Sequence, residues 1–265
     1  MKAPIHQLDA FTDQLFRGNP AAVVRLDAFL PDAVLQACAE ENNLAETAYV
    51  VPTHEPTRFG LRWFTPTVEI ALCGHATLAT AHVIFASGAP GNLLRFDTKS
   101  GELRVERRPD GRLELDFPKR TLAPIADPGL APILGRMPTS VFDSGTNYFA
   151  VFESEGEVAE LRPDFRALRA IPRNGIVVTA PGDRDDFVSR YFASPVGVDE
   201  DPVTGSAHTE LTPYWAERLG RTSLVARQIS KRGGHLLCRL DGDRVRMAGF
   251  VTPYLEGTIE LPDTV

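Results

Sequence analysis

The sequence predicts an α+β fold made of two duplicated domains, each with one buried helix. Two similar stretches indicate the duplication, RWFTPTVEIALCGHATLATAHVIF from Arg62 to Phe85 and RYFASPVGVDEDPVTGSAHTELTPYW from Arg190 to Trp215. Each opens with arginine, an aromatic residue and phenylalanine, passes through proline and an acidic turn, and reaches a glycine before an apolar segment. The two copies begin 128 positions apart, about half the chain.

The elements of the first half follow from turn residues and periodicity. Residues 3–11 alternate as a strand, and a Gly-Asn-Pro turn at 18–20 leads into a second strand. A helix is expected from Pro31 to about Asn43, because proline is favoured in a first helical turn. Glu46 then begins a strand, and the helix of the first copy ends at Ser87-Gly88. Three β segments joined by Ser-Gly and Asp-Gly turns complete this half.

The second half repeats this order, from a strand near 145–147 to a central helix from Gly205 to Leu219 and a closing β meander. A proline-rich passage at 118–132 separates the halves, and such a passage cannot continue a strand ladder. We therefore predict domains at 1–118 and 119–265, and we allow the terminal strand to cross back to the first domain.

The composition argues against several classes of partner and location. The chain is 43% hydrophobic with a net charge of −7 and has no basic run, which argues against a nucleic-acid or anionic-membrane partner. No apolar stretch approaches the roughly 20 residues of a membrane span, and the N-terminal residues show no secretory h-region. The three cysteines are odd in number and form no CxxC, which disfavours disulfides and predicts a cytoplasmic protein.

Cofactor motifs are missing from the sequence. It has six histidines but no HxxxH or HxH spacing, so no metal site is predicted. It also has no GxGxxG or P-loop pattern, so no nucleotide site is predicted. The expectation is a reaction or binding event without a cofactor.

Gly74 and Gly205 each precede a long apolar helix. The first turn of a helix has backbone N–H groups without partners and a positive dipole end, and glycine lets a ligand approach that backbone closely. Two such helix starts, related by duplication, are suited to hold one anion such as a carboxylate. The alternative is that each glycine simply makes a tight strand-to-helix turn.

Polar side chains accompany both helix starts. His75 lies in the first turn of the first helix, where a positive helix end lowers an imidazole pKa, so a neutral His75 is expected to exchange protons near pH 7. Ser206 holds the equivalent place and can donate a hydrogen bond to a substrate oxygen. Asp201 precedes Pro202 and therefore stands outside the helix. It is either an acid or base beside a substrate or part of a solvated acidic loop, and Glu69 or a nearby residue is its counterpart in the first copy.

Glu46 and Cys73 are the remaining candidates. Glu46 lies among small and apolar residues in LAETAYVV, which suits a proton shuttle if the side chain is partly buried. An exposed glutamate at a strand edge is the alternative. Cys73 is a candidate thiolate base or nucleophile, although no cysteine lies near Gly205. A buried cysteine without a chemical role is the alternative there.

Four segments together resemble the phenazine-biosynthesis isomerase (PhzF-like) family, namely GNPAAVV, NLAETAYVV, RWFTPTVEIALCGHATLA and DEDPVTGSAH. Their order and spacing fit nearly the whole chain, and NLAET, CGHAT and EDPVTGSA are the specific ones. The family is similar to diaminopimelate epimerase in fold. The resemblance implies two domains, each a mixed β-sheet barrel wrapped around a central helix, with the active site in the cleft where both helix N-termini face the substrate.

The resemblance also implies residue roles. Glu46 falls on the family's general acid/base, and His75 and Asp201 fall on its assisting polar residues. Positions that hold a substrate carboxylate correspond to Gly74, Gly205 and Ser206, and Asn19 falls in a motif near the cleft. The resemblance further implies a homodimer that acts on a small carboxylate without a cofactor. The best-known member isomerises trans-2,3-dihydro-3-hydroxyanthranilate, but relatives occur where phenazines are not made, so the substrate does not follow.

Two departures from the family pattern bear on the mechanism. Ala45 stands where other members commonly carry serine, so a hydroxyl contact is lost there. Cys73 matches the catalytic cysteine of the epimerase but lacks its partner cysteine, which favours acid–base isomerisation by Glu46. The alternatives are a non-catalytic small-molecule binding protein on the same fold and a racemase or epimerase that uses Cys73.

Overall fold

The computed structural model describes residues 1–262 and confirms the predicted α+β class. In chain order its elements are β1 (Lys2–Ala10), β2 (Asn19–Arg25), α1 (Asp32–Asn42), β3 (Glu46–Pro52), β4 (Arg58–Phe64), β5 (Glu69–Ile70), α2 (Gly74–Ala86), β6 (Leu93–Thr98), β7 (Gly101–Arg107), β8 (Leu113–Pro118), β9 (Ala123–Ile125), α3 (Leu130–Leu134), β10 (Ser140–Asp143), β11 (Tyr148–Val151), α4 (Glu155–Glu160), α5 (Phe165–Leu168), β12 (Ile176–Pro181), β13 (Phe187–Ala193), a 3-10 turn (Ser194–Val196), β14 (Val198–Asp201), α6 (Gly205–Leu219), β15 (Ser223–Gln228), β16 (Gly234–Asp241), β17 (Arg244–Gly249) and β18 (Val251–Glu260). None of the helices in the described part of the chain is long and apolar enough to cross a membrane.

The described chain divides into two compact units. Unit 1 contains Met1–Asp116 together with the segment from Ala248 onward, and unit 2 contains Phe117–Met247. The first division lies within two residues of the sequence-based boundary at 118 and 119. The last strand, which the sequence analysis allowed to cross back, belongs to unit 1 because β18 pairs with β1 along its length, from Lys2 opposite Glu260 to Ala10 opposite Val251.

Unit 1 is a mixed sheet around α2. Its strands run in the order β18, β1, β2, β3, β4, β6, β7 and β8, with parallel pairs at β2–β3 and β4–β6. Helix α2 is apolar on every side, as a helix enclosed on all sides must be, and eleven of its residues are buried. It packs against β1, β2, β3, β7 and β18. The sheet therefore curves around this helix.

Helix α1 covers the outer side of unit 1. Its buried residues are Val34, Leu35 and Ala39, at the spacing of one helical face. The helix ends at Asn43, which adopts a left-handed conformation with φ of 48° and donates its backbone N–H to the carbonyl of Ala39. The predicted helix and its end are confirmed.

Unit 2 has the same plan. Its strands run in the order β9, β10, β11, β12, β13, β15 and β16, with parallel pairs at β11–β12 and β13–β15. Helix α6, which begins at Gly205 and ends at Leu219 as predicted, packs against β15 and β16. In both units a short strand folds back on the repeated Arg-aromatic-Phe strand, β5 on β4 and β14 on β13. The duplication inferred from the sequence is therefore present in the strand topology.

Candidate active site

The starts of β2, β3 and α2 bring three predicted residues together in unit 1. Strands β2 and β3 are parallel, so Asn19 and Glu46 begin neighbouring strands at the same end of the sheet. His75 is the second residue of α2, which packs on both strands. Nε2 of His75 lies 2.8 Å from Oε2 of Glu46. This contact joins residues that lie far apart in sequence.

The other nitrogen of His75 has polar neighbours as well. Nδ1 lies 3.1 Å from Nδ2 of Asn19 and 3.6 Å from Sγ of Cys73. Asn19 is fully buried, and Cys73 and His75 are nearly so. The imidazole therefore has polar neighbours on both sides, which restrict its orientation next to Glu46.

Exposure differs between the members of this cluster. The side chain of Glu46 is 15% exposed, whereas that of His75 is 6% exposed. A small molecule can therefore reach Glu46 more readily than His75. Of the two side chains in contact, Glu46 is therefore the more accessible one.

The charge state of His75 corrects an expectation from the sequence. Burial disfavours the imidazolium, but the hydrogen bond to Cys73 and the negative charge of the Glu46 carboxylate outweigh it and hold the pKa of His75 well above its ordinary value. The sequence analysis had predicted a lowered pKa from the helix end. The prediction was wrong in direction because a carboxylate in direct contact acts more strongly on the ring than the partial charge of a helix terminus.

Cys73 is held as a neutral thiol. Burial, reinforced by the negative charge of Glu46, raises the pKa of the Cys73 thiol. The thiolate is the reactive form of cysteine, and this environment disfavours it.

A metal would fit this cluster poorly. Donor atoms of Glu46, Cys73 and His75 lie within 4.8 Å of one another. However, Nε2 of His75 faces Glu46, whereas Nδ1 faces Cys73. The two nitrogens point away from each other, so an ion bound to one of them cannot also reach the residue that faces the other. An ion bound by all three residues would require the ring to reorient.

The turn before α6 holds the predicted residues of unit 2. The Thr204 hydroxyl donates to Oδ2 of Asp201 instead of capping the helix that follows. Gln228, which is fully buried at the end of β15, accepts a hydrogen bond from the Thr204 backbone N–H at 2.8 Å and donates to the Asp201 carbonyl at 2.8 Å. Gln228 was not predicted from the sequence, and a lone glutamine at a strand end carries no motif that would have revealed it.

Gly205 and Ser206 form the first turn of α6, as Gly74 and His75 form that of α2. Neither glycine has positive φ, so the turn itself does not require glycine at either position. Neither N-cap side chain makes a capping hydrogen bond. Both helix starts keep the features that suit anion binding.

The strand registers identify which residues of the two copies correspond. Ile70 lies opposite Trp63, and Asp201 lies opposite Tyr191, the residue that matches Trp63. The counterpart of Asp201 is therefore Ile70. Glu69 corresponds instead to Glu200, and each of these glutamates pairs with the arginine that opens its copy: Arg62–Glu69 at 2.8 Å and Arg190–Glu200 at 2.7 Å. The Arg62 guanidinium lowers the pKa of Glu69 to about 2.

The structure places the candidate residues in two groups. In unit 1 it brings together Asn19, Glu46, Cys73, Gly74 and His75. In unit 2 it brings together Asp201, Gly205 and Ser206, with Thr204 and Gln228 as supporting residues. Asn19 lies against His75, a contact that its motif alone did not specify.

Comparison with known proteins matches nearly the whole chain to one protein family. The family model described as phenazine biosynthesis-like protein matches residues 8–257. An uncharacterized isomerase of Pseudomonas aeruginosa is 51% identical over 98% of this chain and 100% of its own length. The human phenazine biosynthesis-like domain-containing protein is 39% identical over 98% of this chain and 99% of its own.

Solved structures of this family and of an epimerase have the same fold as this chain. A PhzF-family phenazine biosynthesis protein of Enterococcus faecalis superposes with a TM-score of 0.94 at 43% identity, covering 98% of this chain and 100% of that one. A hydroxyproline epimerase of Agrobacterium vitis shares the fold with a TM-score of 0.63 at 11% identity, over 99% of this chain and 93% of that one. The fold is the diaminopimelate epimerase-like α+β fold predicted from the sequence.

Proposed function

Because this chain belongs to the phenazine biosynthesis-like (PhzF-like) family, we propose that it is an isomerase that moves a proton on a small carboxylate substrate, with Glu46 as acid and base and without a cofactor. The observation that supports this most is the contact between Glu46 and His75 at 2.8 Å, in which Glu46 keeps the greater exposure. Relatives named as isomerases support the reaction class.

The proposed step is a proton shift. The Glu46 carboxylate removes a proton from a substrate carbon, and the electron pair of that C–H bond moves into the adjacent unsaturated system. The protonated Glu46 then returns the proton to another carbon as a new C–H bond forms, so no atom is gained or lost. His75 contacts Oε2 of Glu46 at 2.8 Å and orients the carboxylate for this step. General acid–base catalysis of this kind typically contributes about 10²–10⁴-fold in rate.

The two helix starts support a carboxylate as the substrate. Backbone N–H groups at Gly74 and Gly205, and the hydroxyl of Ser206, are suited to bind a carboxylate. The hydrogen bonds from Gln228 and Thr204 keep the chain before α6 in place. Asp201 is proposed to assist as a polar residue from this turn.

Hydrogen exchange with solvent tests the proposal. The protein is incubated in D2O with small β,γ-unsaturated carboxylic acids, whose α C–H bond is next to a double bond, and NMR follows the loss of each C–H signal. We expect deuterium to enter at least one acid that binds, and unfolded protein to give none. Saturable binding of an acid without any exchange would instead favour the non-catalytic binding protein.

A second candidate function rests on Cys73, whose sulfur lies 3.6 Å from His75. In that case the reaction is a racemisation or epimerisation, and the thiol is one of two groups that exchange protons with the substrate. Substitution of Cys73 by serine separates the candidates, because the isomerase retains exchange and the epimerase loses it. The raised pKa of the thiol favours the first.

A further inference from the structure

A cavity of about 510 Å³ lies in unit 2 along the second half of α6. Its lining includes Lys119, Arg120, Glu210, Tyr214 and Arg218. Its described lining residues include none of the residues proposed above for catalysis or substrate binding. The volume is within the range of cavities that hold small molecules.

A proline inside α6 shapes one wall of this cavity. Pro213 has no backbone N–H, so it cannot bond to the carbonyl of Thr209 in the preceding turn. Instead the backbone N–H of Arg120 donates to that carbonyl at 3.0 Å. An interior proline destabilises a helix by roughly 3 kcal/mol. Here the hydrogen bond from Arg120 to the Thr209 carbonyl holds the segment that carries Lys119 and Arg120 against the helix.

Glu210 lines the same cavity and is fully buried. Its Oε1 accepts a hydrogen bond from Asn147 at 3.0 Å and lies 3.4 Å from Nη1 of Arg120. Burial raises the pKa of Glu210 against the opposing effects of a hydrogen bond from Ser144 and the charge of Arg120. This carboxyl group therefore lies at the cavity wall beside one cation, with remaining capacity to accept a hydrogen bond from a ligand.

The rest of the lining combines aromatic surface with positive charge. The rings of Phe142 and Tyr214 lie 5.6 Å apart in an edge-to-face arrangement. Lys119, Arg120 and Arg218 provide three cationic groups, and the exposed Glu217 provides one carboxylate beside them. Such a lining accommodates a flat apolar body that carries one anionic group.

From this arrangement we infer a second ligand site, which takes a small ring-bearing carboxylic acid with a hydrogen-bonding substituent. The cations of Lys119, Arg120 and Arg218 bind the carboxylate. The ring packs on Phe142 and Tyr214, and the substituent hydrogen-bonds to Glu210. The site does not depend on the proton shift proposed for Glu46.

Calorimetric titration of the full chain with 4-hydroxybenzoate tests this site. We expect saturable binding, and substitution of Arg120 by glutamine is expected to raise Kd about tenfold or more. Arg166 is an exposed arginine on α5 in the same unit, and R166Q should leave Kd within about twofold of wild type. Benzyl alcohol, which lacks the carboxylate, should bind at least about tenfold more weakly than 4-hydroxybenzoate.

Two further variants locate the binding. In the wild type 4-hydroxybenzoate should bind more tightly than benzoate, and E210M should abolish that preference, with its unfolding midpoint measured to confirm folding. S206A, at the start of α6, should leave Kd unchanged. No saturable binding up to about 10 mM, an unchanged Kd in R120Q, or loss of binding in S206A would overturn the site. These titrations measure binding and not turnover, so their failure is distinguishable from failure of the isomerase proposal.

Discussion

Two histidines near the starts of equivalent helices have opposite proton affinities. His75 contacts Glu46, and its pKa is raised. His208 is fully buried in α6, with Nδ1 donating to the Thr204 carbonyl at 2.8 Å. Burial there outweighs the hydrogen bond and lowers the pKa of His208 to about 4. Local contacts, more than position in the helix, thus decide the charge of each ring.

His208 predicts a pH dependence of stability. Its pKa is about 4 in the folded state and about 6.5 in an unfolded chain. The unfolded state binds the proton first, so the free energy of unfolding falls as the pH falls from about 6.5 to about 4, by roughly 3 kcal/mol. The substitution His208→Gln should remove this part of the slope, as measured by urea unfolding across that range.

The exposed His54 supplies the control for this titration. The variant H54Q should keep the wild-type dependence, because it changes an exposed side chain and leaves the buried His208 in place. Carboxylates titrate in the same pH range in the wild type, H208Q and H54Q. The difference between their slopes of unfolding free energy against pH therefore reports the contribution of His208 alone. An H208Q slope equal to that of the wild type would show that His208 is not the group responsible.

At the scale of elements, the start of α6 is held by a side chain from the neighbouring strand. Gln228 contacts the Thr204 N–H, the Thr204 hydroxyl at 3.2 Å and the Asp201 carbonyl. The amide satisfies polar groups that a buried turn would otherwise leave without partners. The position of Asp201 therefore depends on β15 as well as on its own strand.

The substitution Gln228→Met tests this dependence. It keeps the side-chain length but removes the hydrogen bonds, so it should destabilise the protein by about 2–4 kcal/mol, because buried polar groups lose their partners. It should also raise KM for the substrate of the exchange reaction more than it lowers kcat. Substitution of the exposed Gln14 by methionine is the matched control. A Q228M protein with wild-type stability and KM would refute the role of Gln228.

At the scale of the whole molecule, unit 1 is assembled from two separate parts of the chain. Strand β1 pairs with β2 on one side and with β18 on the other, and α2 packs against β18. We expect a fragment of residues 1–118 not to fold cooperatively, because β1 and α2 lose a neighbour each. Near-ultraviolet circular dichroism and thermal unfolding of the fragment check this expectation. A cooperative transition would contradict it.

Much of the fold and the family were predicted from the sequence. The repeat, the central helices, the strand starting at Glu46 and the family were predicted and are confirmed, because periodicity, turn residues and motifs are local signals. The raised pKa of His75 was not predicted, because it depends on a contact with Glu46, which is distant in sequence. The counterpart of Asp201 was predicted only as Glu69 or a nearby residue, and strand register identifies it as Ile70. That Glu46 and Ser206 act on one substrate stays a prediction.

The most direct test of the proposed chemistry is the rate of solvent deuterium incorporation by E46Q relative to wild type, for whichever acid the wild type exchanges. E46Q keeps the shape of the side chain but cannot accept the proton, so the rate should fall by about 100-fold or more. Glu40, an exposed glutamate on α1, is the control, and E40Q should keep the wild-type rate. An E46Q protein that exchanges as fast as wild type would contradict the assignment of Glu46 as the acid and base.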